Sequence, residues 1–144
     1  MMESAPHPAP RLNGVVETCV NVEDIRRARE FYESLFSLEV LIGDDRFCAF
    51  RVGEDVLLLF VRGGSDQPSV LSGGTIPPHE TAGAGHFAFG VSPETLPDWR
   101  MRLQNRGIKI ESEVRWDRGG TSIYFRDPDN NLLELATPGI WANY

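Results

Sequence analysis

Two segments of the chain alternate between bulky apolar side chains and polar or small ones, which is the pattern of a half-buried strand. In residues 15–22, three of the four valines point to one side and Glu17 points to the other. Residues 85–91 repeat the pattern, with the two phenylalanines opposite His86. The pattern predicts that the bulky side chains face a helix, and that Glu17 and His86 each lie on an open sheet face.

A segment of helical periodicity follows each of these strands. From Asp24 to Leu35, apolar residues recur at helical spacing, and Asp24 is placed to cap the first turn. A second helix is predicted to begin near Thr95 and to stop at Gly107, a residue suited to the position just after a helix end. Each helix has one apolar face, which must be buried against a sheet.

The two halves of the chain contain one repeated unit. AFRVGEDVLLLF (49–60) aligns without a gap on YFRDPDNNLLEL (124–135), and each stretch has the pattern strand, turn, strand. We therefore predict an α+β fold in which two tandem βαβββ modules form a curved, cup-shaped mixed sheet. The predicted strands are 15–22, 38–42, 46–52, 56–61, 85–91, 108–115, 121–126 and 131–136.

A chain of 144 residues can build one core of ordinary size, so we expect a single domain over residues 14–144 after a flexible segment, 1–13. The connection between the modules holds five glycines and three prolines, which predicts a linker, lid or binding loop without regular structure. The apolar tail is expected to cover a core edge or a partner subunit. Module one, the linker, module two and the tail span about 14–61, 62–84, 85–137 and 138–144.

Composition and charge narrow the possible partners. A formal net charge of -7 disfavours nucleic acid, and no stretch is long and apolar enough to span a membrane. The first ten residues lack the basic and apolar regions of a secretory signal, so a cytoplasmic protein is expected. Cys19 and Cys48 have no metal-binding or redox spacing, and we expect both to be reduced and buried.

Strand parity also singles out a carboxylate in the last predicted strand. Glu134 lies between Leu133 and Leu135 and points to the opposite face from them. A carboxylate among apolar neighbours needs a charged partner, a hydrogen-bond donor or a metal. If the modules associate side by side, Glu17, its repeat equivalent His86, and Glu134 come together, and one imidazole with two carboxylates suits a divalent ion.

Three stretches carry a resemblance to a known family and cover nearly all of residues 14–137. ETCVNVEDIRRAREFYESLF, GHFAFGV and YFRDPDNNLLEL are similar to motifs of the vicinal oxygen chelate superfamily, which includes glyoxalases, bleomycin resistance proteins and extradiol dioxygenases. Asn130 stands where the closing motif of that family has glycine. Asparagine is the next most tolerant residue for a left-handed turn, so the turn is expected to be kept.

The resemblance implies that metal ligands come from the first and last strands of each module, at Glu17, Leu59, His86 and Glu134. Leucine cannot coordinate, so the chain resembles the three-ligand branch of the family, and Leu59 would line the substrate site instead. The set Glu17, His86 and Glu134 implies one divalent ion, with Mn²⁺, Mg²⁺ or Fe²⁺ favoured over Zn²⁺ and Ni²⁺ because two of the ligands are carboxylates.

Further residues are candidates for contact with a small-molecule substrate. His79 is either a general acid or base that folds over the cup or an exposed loop histidine. Tyr124 and Ser122 are expected to line the cup, where the phenol can donate to an oxyanion, although a tyrosine filling the core is the alternative. Trp116 and Arg118 are either an aromatic wall and an anion clamp or part of a solvated turn.

The resemblance favours a metal-dependent lyase or isomerase of the glyoxalase type, acting on a small oxygenated molecule that chelates the ion. Two alternatives stay open: an extradiol-type dioxygenase, and a metal-free protein that binds a drug or another small molecule. Because two modules leave sheet edges and the apolar tail exposed, a homodimer is expected.

Overall fold

A computed structural model of the chain describes residues 15–144 together with Ala9, so all but one residue of the expected N-terminal segment 1–13 lies outside the described residues. Each half contributes one βαβββ unit, and a short hairpin lies between them. In chain order the elements are β1 (Glu17–Val22), α1 (Ile25–Phe36), β2 (Glu39–Gly43), β3 (Phe47–Val52), β4 (Asp55–Val61), β5 (Ser69–Leu71), β6 (Gly74–Ile76), β7 (His86–Gly90), α2 (Leu96–Asn105), β8 (Ser112–Arg115), β9 (Thr121–Arg126) and β10 (Leu132–Ala136).

The strands form two four-stranded sheets of the same topology. The first has the order β1-β4-β3-β2 and the second the order β7-β10-β9-β8. In each sheet the first pair is parallel and the other two pairs are antiparallel. The predicted α+β fold of two βαβββ units is therefore confirmed, with the mixed sheet present as two separate halves.

Helix α1 has the ends and the apolar face that its sequence predicts. The Asp24 side chain accepts a hydrogen bond from the backbone of Arg27 at 3.1 Å and so caps the first turn. Ser37 adopts a left-handed conformation with φ of 53° and ends the helix. Ala28, Tyr32 and Leu35 are buried on one face, as predicted.

Helix α2 and the strand after it differ slightly from the prediction. A 3₁₀ turn at Pro93–Thr95 leads into the helix, and Gly107, with φ of 68°, follows its last turn. Strand β8 begins at Ser112 instead of residue 108. In the segment before it, the Glu111 amide donates to the Tyr124 carbonyl of β9 at 2.8 Å, and Ile108 and Ile110 pack against the core.

One hydrophobic core joins both units, and α1 packs against both sheets. The Tyr32 ring lies 6.1 Å from Phe50 of the first sheet and 6.3 Å from Phe87 of the second, and Phe36 lies 4.7 Å from Phe89. Each fully buried aromatic or leucine side chain contributes about 1.5–3 kcal/mol of transfer free energy. Because the core occupies one side of each sheet, the faces of β1 and β7 that carry Glu17 and His86 are turned away from it.

The connection between the units is more ordered than expected. It contains the β5–β6 hairpin, which corrects the prediction of a loop without regular structure. The Arg62 guanidinium donates to the carbonyls of Thr81 at 3.0 Å and Gly83 at 2.8 Å, and Thr81 donates to the Asn21 side chain. These bonds fold the connection back onto β1.

The tail covers part of the second sheet. Tyr144 donates its hydroxyl to the Ala136 carbonyl at 2.8 Å and lies on Gly90, whereas Trp141 is 69% exposed. The expectation that both cysteines are buried is wrong for Cys19, which is exposed because it shares the open face of β1. Among the described residues, no helix is long and apolar enough to cross a membrane.

Candidate metal centre

His86 is held in one tautomer by the strand next to it. In the parallel pair of β7 and β10 it lies opposite Leu132, and its Nδ1 is 2.9 Å from the Leu132 carbonyl oxygen. A carbonyl oxygen only accepts, so Nδ1 carries the proton. Nε2 therefore points away from the backbone and lies 3.3 Å from Oε1 of Glu134.

Glu134 is the buried carboxylate of the site. It is 8% exposed, and its Oε2 accepts a hydrogen bond from the fully buried Ser122 hydroxyl at 2.5 Å. Ser122 in turn accepts a bond of 2.9 Å from the Trp116 indole Nε1. One carboxylate oxygen is thus occupied by a protein donor, and the other faces His86.

Tyr124 stands beside this pair. It lies directly opposite Glu134 in the antiparallel pair of β9 and β10, and its ring centre is 6.3 Å from that of His86. Burial raises the pKa of the Tyr124 phenol, the Ser122 hydroxyl opposes this shift, and the Glu134 carboxylate adds to it. The phenol is therefore protonated at neutral pH and can donate a hydrogen bond.

Glu17 is not brought to His86 and Glu134 within the chain. It lies exposed at the start of β1, opposite Val56 of β4. Among residues 15–144, no three histidine, cysteine or acidic side chains come close enough to hold a metal ion. This corrects the expectation of a three-ligand cluster in one chain, and the physical reason is that the core lies between the two sheets and turns their open faces apart.

The structure also corrects the expectation that Leu59 lines the substrate site. It is fully buried in the core and pairs with Val20 of β1, so it faces the core and cannot line an open site. Phe50 pairs with Leu57, whereas the repeat equivalent Phe125 pairs with Leu133. The turn in the first unit is therefore one residue shorter than the gapless alignment implied, and the counterpart of Glu134 is Leu58.

The other predicted residues divide between the two sheets. His79 packs edge-on against Phe60 with ring centres 4.6 Å apart, and Phe60 pairs with Asn21 on the open face of the first sheet. The bonds of Arg62 to Gly83 and of Thr81 to Asn21 hold the loop of His79 on the first sheet, whereas His86 lies on the second. Arg118 is exposed in the turn between β8 and β9, on the side of the second sheet.

A cleft of about 430 Å³ opens between the edge strands of the two units. Thr18 and Asp55 line it on one side, and the strand from His86 to Gly90 lines it on the other. His86 therefore remains accessible, with 47% of its side chain exposed. The convergence of an accessible imidazole and a carboxylate with one free oxygen fits a divalent cation, although it leaves the ligand set incomplete.

Three features of the site were not predicted from the sequence. The Leu132 carbonyl fixes the tautomer of His86, Trp116 bonds to Ser122, and Tyr144 covers Gly90. The shorter turn in the first unit had a signal in the sequence, because VGED there replaces the longer DPDNN. The Trp116 bond and the path of the tail depend on side-chain placement, for which the strand pattern gives no signal.

The two βαβββ units define the fold class of the protein, and the second unit carries a histidine and a carboxylate on its open face. The sequence profile of the Glyoxalase/Bleomycin resistance protein/Dioxygenase superfamily matches residues 13–135. The chain belongs to this superfamily, as its motifs predicted.

Two relatives with named functions match most of the chain. The chain is 27% identical to the metallothiol transferase FosB of Shouchella clausii over 128 residues, which are 88% of this chain and 81% of the relative. It is 26% identical to the fosfomycin resistance protein FosX of Listeria innocua over 131 residues, 86% of this chain and 89% of that one.

Among solved structures, the lactoylglutathione lyase of Agrobacterium tumefaciens is similar, with a TM-score of 0.84 and 29% identity. The match covers 92% of this chain and 99% of that protein. FosX from Listeria monocytogenes, solved with Mn(II) and sulfate, has a TM-score of 0.65 at 22% identity and covers 88% of this chain and 91% of its own. That second likeness concerns the fold alone.

Proposed function

We propose that the protein is an enzyme that binds one divalent metal ion and modifies a small oxygenated molecule that chelates it. The observation that carries this proposal is the pair of facing acceptors, Nε2 of His86 and Oε1 of Glu134, at 3.3 Å. With the proton on Nδ1, two lone pairs point at each other, and only a second proton or a cation between them removes the repulsion. The superfamily membership favours the cation.

The third ligand in this proposal is Glu17 of a second copy of the chain. Glu17 is exposed on the open face of the first sheet, and His86 and Glu134 lie on the open face of the second. Two copies related by a twofold axis bring the first sheet of each against the second sheet of the other, which gives two equivalent sites. The set Glu, His, Glu favours Mn²⁺, Mg²⁺ or Fe²⁺, while Zn²⁺ and Ni²⁺ can also accept it.

The bound ion would act as a Lewis acid for adjacent oxygens of the substrate. The protonated Tyr124 phenol, beside Glu134, would donate a hydrogen bond to a substrate oxygen that gains negative charge. Trp116 and Arg118 would form the aromatic and cationic side of the substrate site. His79 would come from the same second copy as Glu17. It packs near Asn21, which follows Glu17 by four residues in β1, and this places it roughly 13 Å from Glu17. His79 would therefore be a general acid or base at the edge of the substrate site and not a metal ligand.

Metal analysis tests the first part of the proposal. Protein purified without a chelator is expected to hold about one divalent ion per chain, and Glu134→Gln should reduce this strongly because the carboxamide is neutral. Glu113→Gln is a matched control, since Glu113 is an exposed carboxylate of the same sheet, paired with Arg100. Equal metal content in the unaltered protein and in Glu134→Gln would refute a site at this residue.

A mixing experiment tests the shared site. Glu17→Gln and Glu134→Gln should each bind metal poorly as pure proteins. After subunit exchange, about a quarter of all sites should regain strong binding, because half of the dimers are mixed and each mixed dimer has one intact site. No recovery in a sample shown to contain mixed dimers would exclude Glu17 as the ligand from the second copy.

The relatives suggest which substrates to test first. Fosfomycin follows from the similarity to a fosfomycin resistance protein, and a thiol as second substrate follows from the similarity to a metallothiol transferase. Lactoylglutathione follows from the similarity to lactoylglutathione lyase. Turnover that stops on chelation and returns with metal is the expected result. Stoichiometric binding of a small molecule that Glu134→Gln leaves unchanged would favour a binding protein instead, and oxygen uptake with a catechol would favour a dioxygenase.

A further inference from the structure

A relay of two hydrogen bonds runs from Trp116, in the turn between β8 and β9, through Ser122 to the Glu134 carboxylate. The Trp116 indole donates from Nε1 to Ser122 Oγ at 2.9 Å, and Ser122 donates to Glu134 Oε2 at 2.5 Å. The direction of both bonds is fixed, because an indole N–H only donates and an ionised carboxylate only accepts. The Ser122 hydroxyl therefore accepts from Trp116 and donates to Glu134.

We infer that Trp116 and Ser122 are positioning residues that hold the Glu134 carboxylate in the orientation needed to bind metal. The inference rests on the proposed function of the site. Ser122 is fully buried and Glu134 nearly so, and hydrogen bonds to a charged group are strong in such surroundings. With Oε2 committed to Ser122, the carboxylate cannot rotate freely, and Oε1 stays directed at His86.

The start of this relay is itself held in place by the backbone. The Trp116 amide donates to the Gly120 carbonyl at 2.8 Å, and its carbonyl accepts from the Gly119 amide at 2.9 Å. Gly120 also donates to the Gly139 carbonyl at 3.0 Å, which ties the turn to the segment after β10. An alanine at position 120 would meet the Gly139 backbone at 2.8 Å, so this contact requires glycine. The indole is therefore presented by a fixed turn.

The relay also connects the metal ligand to the surface. About a third of Trp116 remains exposed, whereas the two groups that follow it are buried. A molecule that rests against the outer edge of the indole therefore touches the first member of a chain that ends on the ligand. In metal sites, partners of the ligands orient them and tune their affinity, and their loss costs about 10- to 100-fold in metal binding.

Three variants separate this role from simple packing. Ser122→Ala removes the link and should weaken Mn²⁺ binding by about 10- to 100-fold. Trp116→Phe keeps an aromatic ring but removes the N–H, and it should weaken binding about fivefold, the worth of one neutral hydrogen bond. The double variant should bind no more weakly than Ser122→Ala, because the relay is already broken there.

The measurement is titration calorimetry of Mn²⁺ into chelator-treated protein, with melting temperatures recorded for each variant. Trp141→Phe is the matched control, since Trp141 is 69% exposed, and it should bind Mn²⁺ as the unaltered protein does. Should Ser122→Ala not fold, Trp116→Phe still carries the test. If the unaltered protein binds Mn²⁺ and both single variants bind it with the same affinity, the inference is wrong while the proposed function stands. The same holds if the two substitutions have independent effects in the double variant. No Mn²⁺ binding by the unaltered protein would remove the proposed function and the relay together.

Discussion

The assignment of Leu58 and Leu59 to opposite faces of β4 makes a sharp prediction. Leu59 is fully buried and pairs with Val20, whereas Leu58 is half-buried and pairs with Cys19 on the open face. Leu59→Ala removes buried methyl groups and leaves a cavity, which costs about 2–5 kcal/mol. Leu58→Ala loses partly exposed surface only, so a cost of about 1 kcal/mol is expected.

These two values are distinguishable by urea denaturation at low protein concentration, where association between copies contributes least. With a total stability of about 5–15 kcal/mol, Leu59→Ala should move the midpoint clearly and lower the melting temperature by about 6–15 °C. Leu58→Ala should lower it by about 3 °C with the same dependence on urea. A larger loss in Leu58→Ala than in Leu59→Ala would show that the strand lies in the opposite register.

The same register predicts the result of adding a carboxylate. Leu58→Glu places an acidic group at the position equivalent to Glu134, on the face that carries Glu17. In the proposed dimer it would become a fourth ligand, and metal binding should tighten. Leu59→Glu buries an uncompensated charge in the core and should prevent folding. A folded Leu59→Glu variant with tightened metal binding would refute the assignment.

Three further predictions concern stability and the tail. Burial and then the Asp127 charge hold the pKa of Tyr32 well above its usual value. From about pH 10 upward the unfolded chain therefore releases a proton that the folded chain keeps. In alkaline unfolding, the free energy of unfolding of the unaltered protein should then fall by about 1.4 kcal/mol per pH unit relative to that of Tyr32→Phe. Asn130 has φ of 65°, so Asn130→Ala should cost about 1 kcal/mol in thermal unfolding while Asn130→Gly costs little, and equal costs would count against the left-handed turn. A Cβ at Gly90 would lie 2.5 Å from the Tyr144 hydroxyl, so Gly90→Ala should free the tail for carboxypeptidase, and Gly73→Ala, with open space around it, should not.

Much of the fold followed from local pattern. The repeat of strand, helix and three strands was visible because each unit places bulky residues on one face and polar or small ones on the other. The same parity identified His86 and Glu134 as neighbours on one face, and the structure places them in contact at 3.3 Å. Asn130 was predicted in a left-handed turn, and its φ of 65° confirms that prediction.

The predictions that were wrong depended on interactions between distant segments. A gapless alignment made Leu59 the equivalent of Glu134, but strand register depends on the number of residues in the turn. One residue more or less in the turn reverses the face of every side chain after it. The relative placement of the two units was also beyond the pattern. Tyr32 packs against both sheets and Phe36 packs against the second, and nothing in the periodicity of α1 indicates a second packing surface.

The position of α1 between the sheets has a consequence for how such a protein can change. Its core lies on one side of each sheet, and the groups suited to chemistry lie on the other. Substitutions at exposed positions such as Glu17 and Cys19 remove no core contacts, so they alter the donor set with little loss of stability. New ligands and new substrate walls can therefore be sampled one residue at a time on a folded scaffold. This separation gives a physical reason why one fold can occur in a metallothiol transferase, a fosfomycin resistance protein and a lactoylglutathione lyase.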